Sequence, residues 1–166
     1  YVMAVAGTHG KTTTSTLAAW LNHAAAGEGS AFLGGISTNF ASNLVLGEGY
    51  RLVVEADEYD RSFLRLWPDV AVITATDADH LDIYGTAEAM VEAFEQFASQ
   101  IKEGGSLILK QGVAFHFDTK GRNLYRYSCD AGGDFHAENI RLIEGGHYRY
   151  DIVLPDGRIE DCELGI

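Results

Sequence analysis

Basic residues are scarce in this chain. Twelve Lys and Arg stand against 24 Asp and Glu in 166 residues, a formal net charge of −12. That balance argues against nucleic acid or an anionic membrane as a principal partner. Long apolar runs are missing as well. No stretch approaches the ~20 unbroken apolar residues of a membrane span, and the first residues lack the basic start and small-residue cleavage site of a signal peptide. Cysteine is limited to Cys129 and Cys162, which have no His or Cys at zinc spacing, so two free thiols in a cytoplasmic protein are expected. There is no internal repeat, no low-complexity linker, and no Asn-Lys-x-Asp segment of the kind that reads guanine.

What is present is globular composition, 46% hydrophobic, enough to bury the core of one domain. The chain opens on Tyr1-Val2-Met3-Ala4-Val5-Ala6, a continuous apolar run of the kind buried on both faces in a parallel sheet. A core strand at the first residue is expected of a piece of a longer polypeptide. A helix follows, with Leu17, Ala18, Trp20, Leu21, Ala24 and Ala25 at helical spacing and Gly27 as its stop. Further strands are predicted at Ala31 to Leu33, Leu52 to Val54, Val70 to Ala75 and Ser106 to Leu109. A long helix is predicted from about Thr86 to Glu103, with Ala87, Met90, Val91, Phe94, Phe97, Ala98 and Ile101 as its apolar stripe. Strands alternating with helices imply an α/β fold, a doubly wound and mostly parallel sheet, over residues 1–112. Residues 113–166 read differently. Short strands around Tyr125, Ile140, Tyr148 and Ile159, with turns at Gly145-Gly146 and Pro155-Asp156-Gly157, predict a small antiparallel extension.

Three segments carry chemistry. The first is Gly7-Thr8-His9-Gly10-Lys11-Thr12, between the first strand and the first helix. Glycines let several backbone N–H groups face one anion, and a helix N-terminus adds the positive end of its dipole. Lys11 can reach the β- and γ-phosphates of a nucleotide, and the Thr12 hydroxyl can ligate magnesium. Only Thr8 and His9 lie between the glycines, two residues where the ordinary P-loop has four. The second segment, Glu55-Ala56-Asp57-Glu58, ends a strand, where open α/β sheets collect ligands. Glu55 is the metal-binding candidate, while Asp57 and Glu58 read equally well as solvated charges. The third is Asp77-Ala78-Asp79-His80-Leu81-Asp82, at the end of the next strand. His80 could ligate a second magnesium or hold the γ-phosphate, with its tautomer fixed by nearby carboxylates. His23, His116, His136 and His147 have no such setting and read as structural or surface residues.

Together these segments resemble the Mur ligase family, ATP-dependent enzymes that assemble the peptide stem of peptidoglycan. The family's loop is the short form Gly-Thr-x-Gly-Lys-Thr-Thr, matched by Gly7-Thr8-His9-Gly10-Lys11-Thr12-Thr13, which accounts for the spacing. His9 in the variable position, Glu55-Ala56-Asp57-Glu58 with Asp60 and Ser62, and Ala78-Asp79-His80-Leu81-Asp82 resemble most the branch that joins L-alanine to UDP-N-acetylmuramate. Sister ligases place a carbamylated lysine on the helix after the histidine motif, and no lysine occurs between Asp82 and Lys102 here.

The resemblance implies ATP and Mg2+ as cofactors, and UDP-N-acetylmuramate and L-alanine as substrates. It implies that ATP phosphorylates the lactyl carboxylate and that the alanine amine then displaces phosphate. In that scheme residues 7–13 cradle the nucleotide and Lys11 stabilises the transferring phosphoryl group. Thr12 and Glu55 hold one magnesium and His80 a second. Gly34, Gly35, Asn39, Asp60, Arg61 and Ser62 line the muramyl side. It also implies that this chain is a central domain whose N-terminal UDP-binding and C-terminal companions lie elsewhere, so that alone it ligates nothing. The alternatives are the tripeptide-recycling branch, a folylpolyglutamate synthase relative, or a P-loop nucleotide switch. The oligomeric state is left open.

Overall fold

In the computed structural model, residues 1–79, 81–130 and 132–164 are described, the side chains of Ala26 and Leu81 excepted. They divide into two units. One comprises Tyr1–Ile108 and Val113–Leu124, the other Leu109–Gly112 and Tyr125–Ile166.

The first unit is built on the strands Val2–Ala6 (β1), Ser30–Ser37 (β2), Ser42–Val45 (β3), Leu52–Glu55 (β4), Val70–Ile73 (β5) and Ser106–Lys110 (β6), in the order β6-β5-β1-β4-β2-β3. The last residues of β6 belong to the second unit. β1 pairs in parallel with both β4 and β5, with Ala4 opposite Val54 on one side and Ala71 on the other. β4 pairs in parallel with β2. The apolar opening run therefore occupies a strand hydrogen-bonded along both edges, and Ala4, Val5 and Ala6 are fully buried. Because β1, β4 and β5 run the same way, their carboxyl ends, and the segments that follow them, lie on one edge of the sheet.

Helix Lys11–Ala26 (α1) ends at Gly27, whose N–H bonds to the His23 carbonyl at 2.7 Å. Its inward face differs from the expected stripe. Ser15 and Ala19 are buried, Ala18 and Asn22 are partly so, and Leu17, Trp20 and Leu21 are more exposed. Small side chains let the helix lie close to the sheet, where Ala19 packs with Ala31, Leu33 and Val53. Trp20 packs instead on the outer surface with His23 and Phe40.

A four-residue helix, Leu81–Tyr84 (α2), precedes helix Ala87–Ser99 (α3). Thr86 caps α3 by accepting from the Ala89 N–H at 3.2 Å. Of the stripe expected for this helix, Met90, Phe94, Phe97 and Ala98 are buried, joined by Ala93, while Ala87 and Val91 are half-buried. The helix stops before Glu103 because the backbone is diverted. Lys102 N–H bonds to the Pro68 carbonyl, and the Gln100 side chain donates to the carbonyls of Leu64 and Leu66. Those bonds hold the 3-10 turn Ser62–Arg65, whose Phe63 ring sits 5.4 Å from Phe94 and 5.2 Å from Phe97.

The second unit contains the strands Phe135–Leu142 (β8), Tyr148–Leu154 (β9) and Gly157–Leu164 (β10), and most of Asn123–Ser128 (β7). β8, β9 and β10 form the expected antiparallel series, interrupted near Asn139 and Asp161, both at positive φ. β7 runs parallel to β8, however, pairing Tyr127 with Phe135 and Ser128 with His136. So tight a parallel connection is unusual. It is pinned by Asp134, whose N–H bonds to the Arg126 carbonyl and whose carboxylate accepts from the Arg126 N–H, both at 2.7 Å.

Candidate functional site

The glycine loop leaves β1 at Gly7, which has φ 124°. A Cβ here would stand 2.3 Å from Thr74 Oγ1 and 2.8 Å from Ala75 N, so only glycine lets the loop turn so close to the segment after β5. That contact is bonded. Thr8 N–H donates to the Ala75 carbonyl at 3.1 Å, and the buried Thr74 hydroxyl is shared between the carbonyls of Ala6 and His9. Gly10 is the N-cap of α1 and supplies no side chain, and no acidic residue occupies the first turn. The first N–H groups of any α-helix have no intrahelical partner. Here the first residues of α1, Lys11, Thr12 and Thr13, line a cleft of about 630 Å3 together with Thr8, His9, Gly10, Glu55, Asp57 and Tyr59. Dipole and orphan donors together make this end of the cleft suited to an anion.

Glu55, at the end of β4, is the convergence point of three elements. Its Oε1 accepts from Thr12 Oγ1 at 3.0 Å, and its Oε2 from the Gly34 N–H of β2 at 2.8 Å. Ser15 Oγ lies 3.2 Å from Oε2 and 3.2 Å from the Thr12 carbonyl. A Cβ on Gly34 would stand 2.2 Å from Oε1, so a larger residue here would have to displace the Glu55 carboxylate from its present position. Gly35 adjoins Thr12. The carboxylate and hydroxyl oxygens are hard donors, the kind magnesium takes. Among the described residues no cluster of three or more His, Cys, Asp or Glu forms a complete metal cage. An ion held at Glu55 and Thr12 would take phosphate and water as its further ligands. The charge of the cleft points the same way, because Glu55 and Asp57 on its wall would repel a polyphosphate that arrived without a cation.

Glu58, equally readable as a surface charge from sequence, is fully buried. Its Oε1 pairs with Lys11 Nζ at 2.8 Å. Its carbonyl accepts from the Tyr84 hydroxyl at 2.6 Å and from the Arg61 N–H at 3.0 Å. Arg61 lies with its guanidinium 4.8 Å above the Tyr84 ring and bonds to the Ile83 carbonyl. Burial pushes the Tyr84 hydroxyl pKa up, against the opposing effect of Arg61. The Ser62 hydroxyl and N–H hold the Asp60 carboxyl below the usual range. Thus Asp60, Arg61 and Ser62 shape the acidic loop, and neither they nor the exposed Asn39 line the cleft. His9 is exposed, 4.0 Å from the Asp77 carboxylate. His80 lies outside the described residues.

Ser15, Thr74 and Tyr84 are not marked by the sequence, and Glu58 is marked only as a member of the acidic segment. Ser15 could have been found, since it follows Thr12 by three residues and shares its helix face. Thr74, Glu58 and Tyr84 act through partners 26 to 68 residues away, which no local pattern displays.

A family model described as the Mur ligase middle domain matches residues 5–166. The chain belongs to the Mur ligase family. It is 51% identical over 166 residues to a UDP-N-acetylmuramate–L-alanine ligase of Phocaeicola vulgatus, covering 99% of this chain and 36% of that protein. It is 49% identical to the enzyme of the same name from Parabacteroides distasonis, with the same coverages. The chain therefore spans about a third of the length of these relatives. Among solved structures, the UDP-N-acetylmuramate–alanine ligase of Thermotoga maritima superposes with a TM-score of 0.79 at 23% identity, covering 98% of this chain and 36% of that one. A MurF ligase from Thermotoga maritima in complex with ADP superposes with a TM-score of 0.70 at 20% identity, covering 95% and 39%. These likenesses show the Mur ligase fold. Among the described residues no helix is long and apolar enough to cross a membrane.

Proposed function

We propose that this chain is the central ATP-binding domain of a cytoplasmic ligase that joins L-alanine to UDP-N-acetylmuramate in peptidoglycan biosynthesis. The observation that carries the proposal is the convergence of Thr12, Ser15 and Gly34 on Glu55, beside the anion-suited loop of residues 7–13. The names of the relatives supply the substrates.

In this scheme the N–H groups of residues 10–13 receive the nucleotide's phosphates and Lys11 takes the γ-phosphate. Thr12 and Glu55 would hold Mg2+, and His80, within the third segment Asp77–Asp82, a second ion. When bound, the metal neutralises phosphate charge and so lets polyphosphate approach the acidic wall. A substrate carboxylate oxygen attacks the γ-phosphorus and the bond to ADP breaks, leaving an acyl phosphate. The alanine amine then attacks the acyl carbon, phosphate leaves, and the amine proton is lost. The protein works by placement and charge, with no side chain as nucleophile. Gly34 and Gly35 border the site on the β2 side, where the muramyl group would enter, with Asn39, Asp60, Arg61 and Ser62 farther out. The adenine pocket and the alanine site belong to the rest of the longer protein, so this domain alone would not ligate.

The test uses the full-length enzyme with ATP, Mg2+, UDP-N-acetylmuramate and L-alanine. Phosphate release should require both organic substrates, and Lys11→Ala should lower kcat by about 10²- to 10³-fold. Full activity of Lys11→Ala would overturn the assignment of the loop. Phosphate release with a free tripeptide, but not with L-alanine, would move the chain to the recycling branch.

A further inference from the structure

Lys11 and Glu58 form the most deeply buried ion pair described in the first unit. The Nζ to Oε1 distance is 2.8 Å, and the two side chains are 14% and 0% exposed. A carboxylate that has lost its water is tolerated only when paired and hydrogen-bonded. Its backbone is fixed too, because the Glu58 carbonyl accepts from both the Tyr84 hydroxyl and the Arg61 N–H. Glu58 is therefore a rigid post, whereas the lysine on a four-carbon stem is flexible.

The surroundings give that rigidity a purpose. Lys11 lines the cleft together with Glu55 and Asp57. An unrestrained ammonium would be drawn to either carboxylate, and pairing with Glu55 would compete directly with a metal ion there. An ammonium has three N–H donors. Committing one to Glu58 fixes its position and leaves two for phosphate oxygens.

We propose that Glu58 is a positioning residue that holds Lys11 at the mouth of the glycine loop and away from Glu55. This rests on the assignment of Lys11 to the γ-phosphate. A lysine that stabilises a transferring phosphoryl group matters more in the transition state than in the ground state. Its misplacement should therefore depress kcat more than it raises KM.

The experiment is a double-mutant cycle on the full-length ligase, with ATP, UDP-N-acetylmuramate and L-alanine as substrates. Glu58→Gln should lower kcat by about 10- to 100-fold while KM for ATP changes by less than about 3-fold. Introduced into Lys11→Ala, the same change should alter kcat by less than about 2-fold, because the residue it acts through is gone. Equal fold-losses in both backgrounds would mean a merely structural role and would overturn the proposal. So would an unchanged kcat in Glu58→Gln when Lys11→Ala is impaired, and in that case the assignment of Lys11 stands. Full activity in Lys11→Ala would instead sink that assignment and this proposal with it. Should Glu58→Gln fail to fold, Glu58→Asp keeps the charge but retracts it by one methylene. It should melt near the wild type with kcat lowered, and wild-type kcat in that variant contradicts the proposal.

Discussion

The two units solve the problem of holding strands together by different means. In the first, Ala4, Val5, Ala71, Ile73, Phe94, Phe97 and Leu107 are almost wholly withdrawn from solvent. In the second, Leu109 is the one buried residue among those described. Its strands are laced instead by cross-strand charges. Arg158 pairs with Glu138 and Asp151, Arg149 and His147 share Glu163, and Arg141 pairs with Asp161 at 3.1 Å. The lesson concerns where a site can be built. A buried Glu58 is tolerable only in the unit whose apolar packing covers its cost, and the whole of the described cleft lies there.

The contrast can be broken most forcefully by removing a ring from the first unit. Phe97→Ala should cost about 3–5 kcal/mol, since it opens a cavity against Phe63. Leu142→Ala in the second unit, where that side chain is 66% exposed, should change stability by no more than about 0.5 kcal/mol. Urea unfolding followed by amide exchange in β1 and in β9 checks both. A large loss at Leu142 would mean the second unit has an apolar core after all.

Acid offers a gentler division. Glu138 is held below the usual carboxyl range by His136 and Arg158, Glu163 by Arg149 and His147, and Asp151 by Asn139 and the Asp161 N–H. Each folded-state pKa is depressed, so the stabilisation is complete above the ordinary carboxyl values. It is lost as pH falls through the lowered ones. Exchange protection of β8, β9 and β10 amides should therefore begin to drop as pH falls below about 5 and go on falling through the lowered carboxyl values, and salt should weaken it at neutral pH. Amides of β1 and β5 should hold through the same range. Asp69, whose carboxylate accepts from the first residue of β1, is an exception. Burial pushes its carboxyl up, but the Val2 N–H and Lys102 outweigh that and hold it below its ordinary value. Acid should fray the start of β1 at Val2 while leaving Ala4 to Ala6 protected.

How much of this was visible beforehand follows the range of each interaction. The loop, its strand and its helix are local, so apolar run, glycines and lysine announce them in sequence. Glu55 could be placed because a strand's carboxyl end is local too. The direction of β7 against β8 is not local, because alternating residues look alike in parallel and antiparallel pairs. The edge strand β3 was missed because Ser42-Asn43-Leu44-Val45 is short and has no buried residue to pattern it. On α1 the large apolar residues suggested the wrong inward face, since close packing on a sheet selects for small ones. Glu58 is the instructive case. Nothing within ten residues of it reveals the lysine 47 positions away or the tyrosine 26 away that make it an interior group.

The most direct test of the nucleotide assignment is a crystal structure of the full-length protein grown with Mg2+ and a non-hydrolysable ATP analogue. The expected result has phosphate oxygens on the N–H groups of residues 10–13, Lys11 Nζ touching both the γ-phosphate and Glu58, and a metal bonded to Thr12 Oγ1 and Glu55. Phosphates bound elsewhere, with the loop and Glu55 untouched, would contradict it.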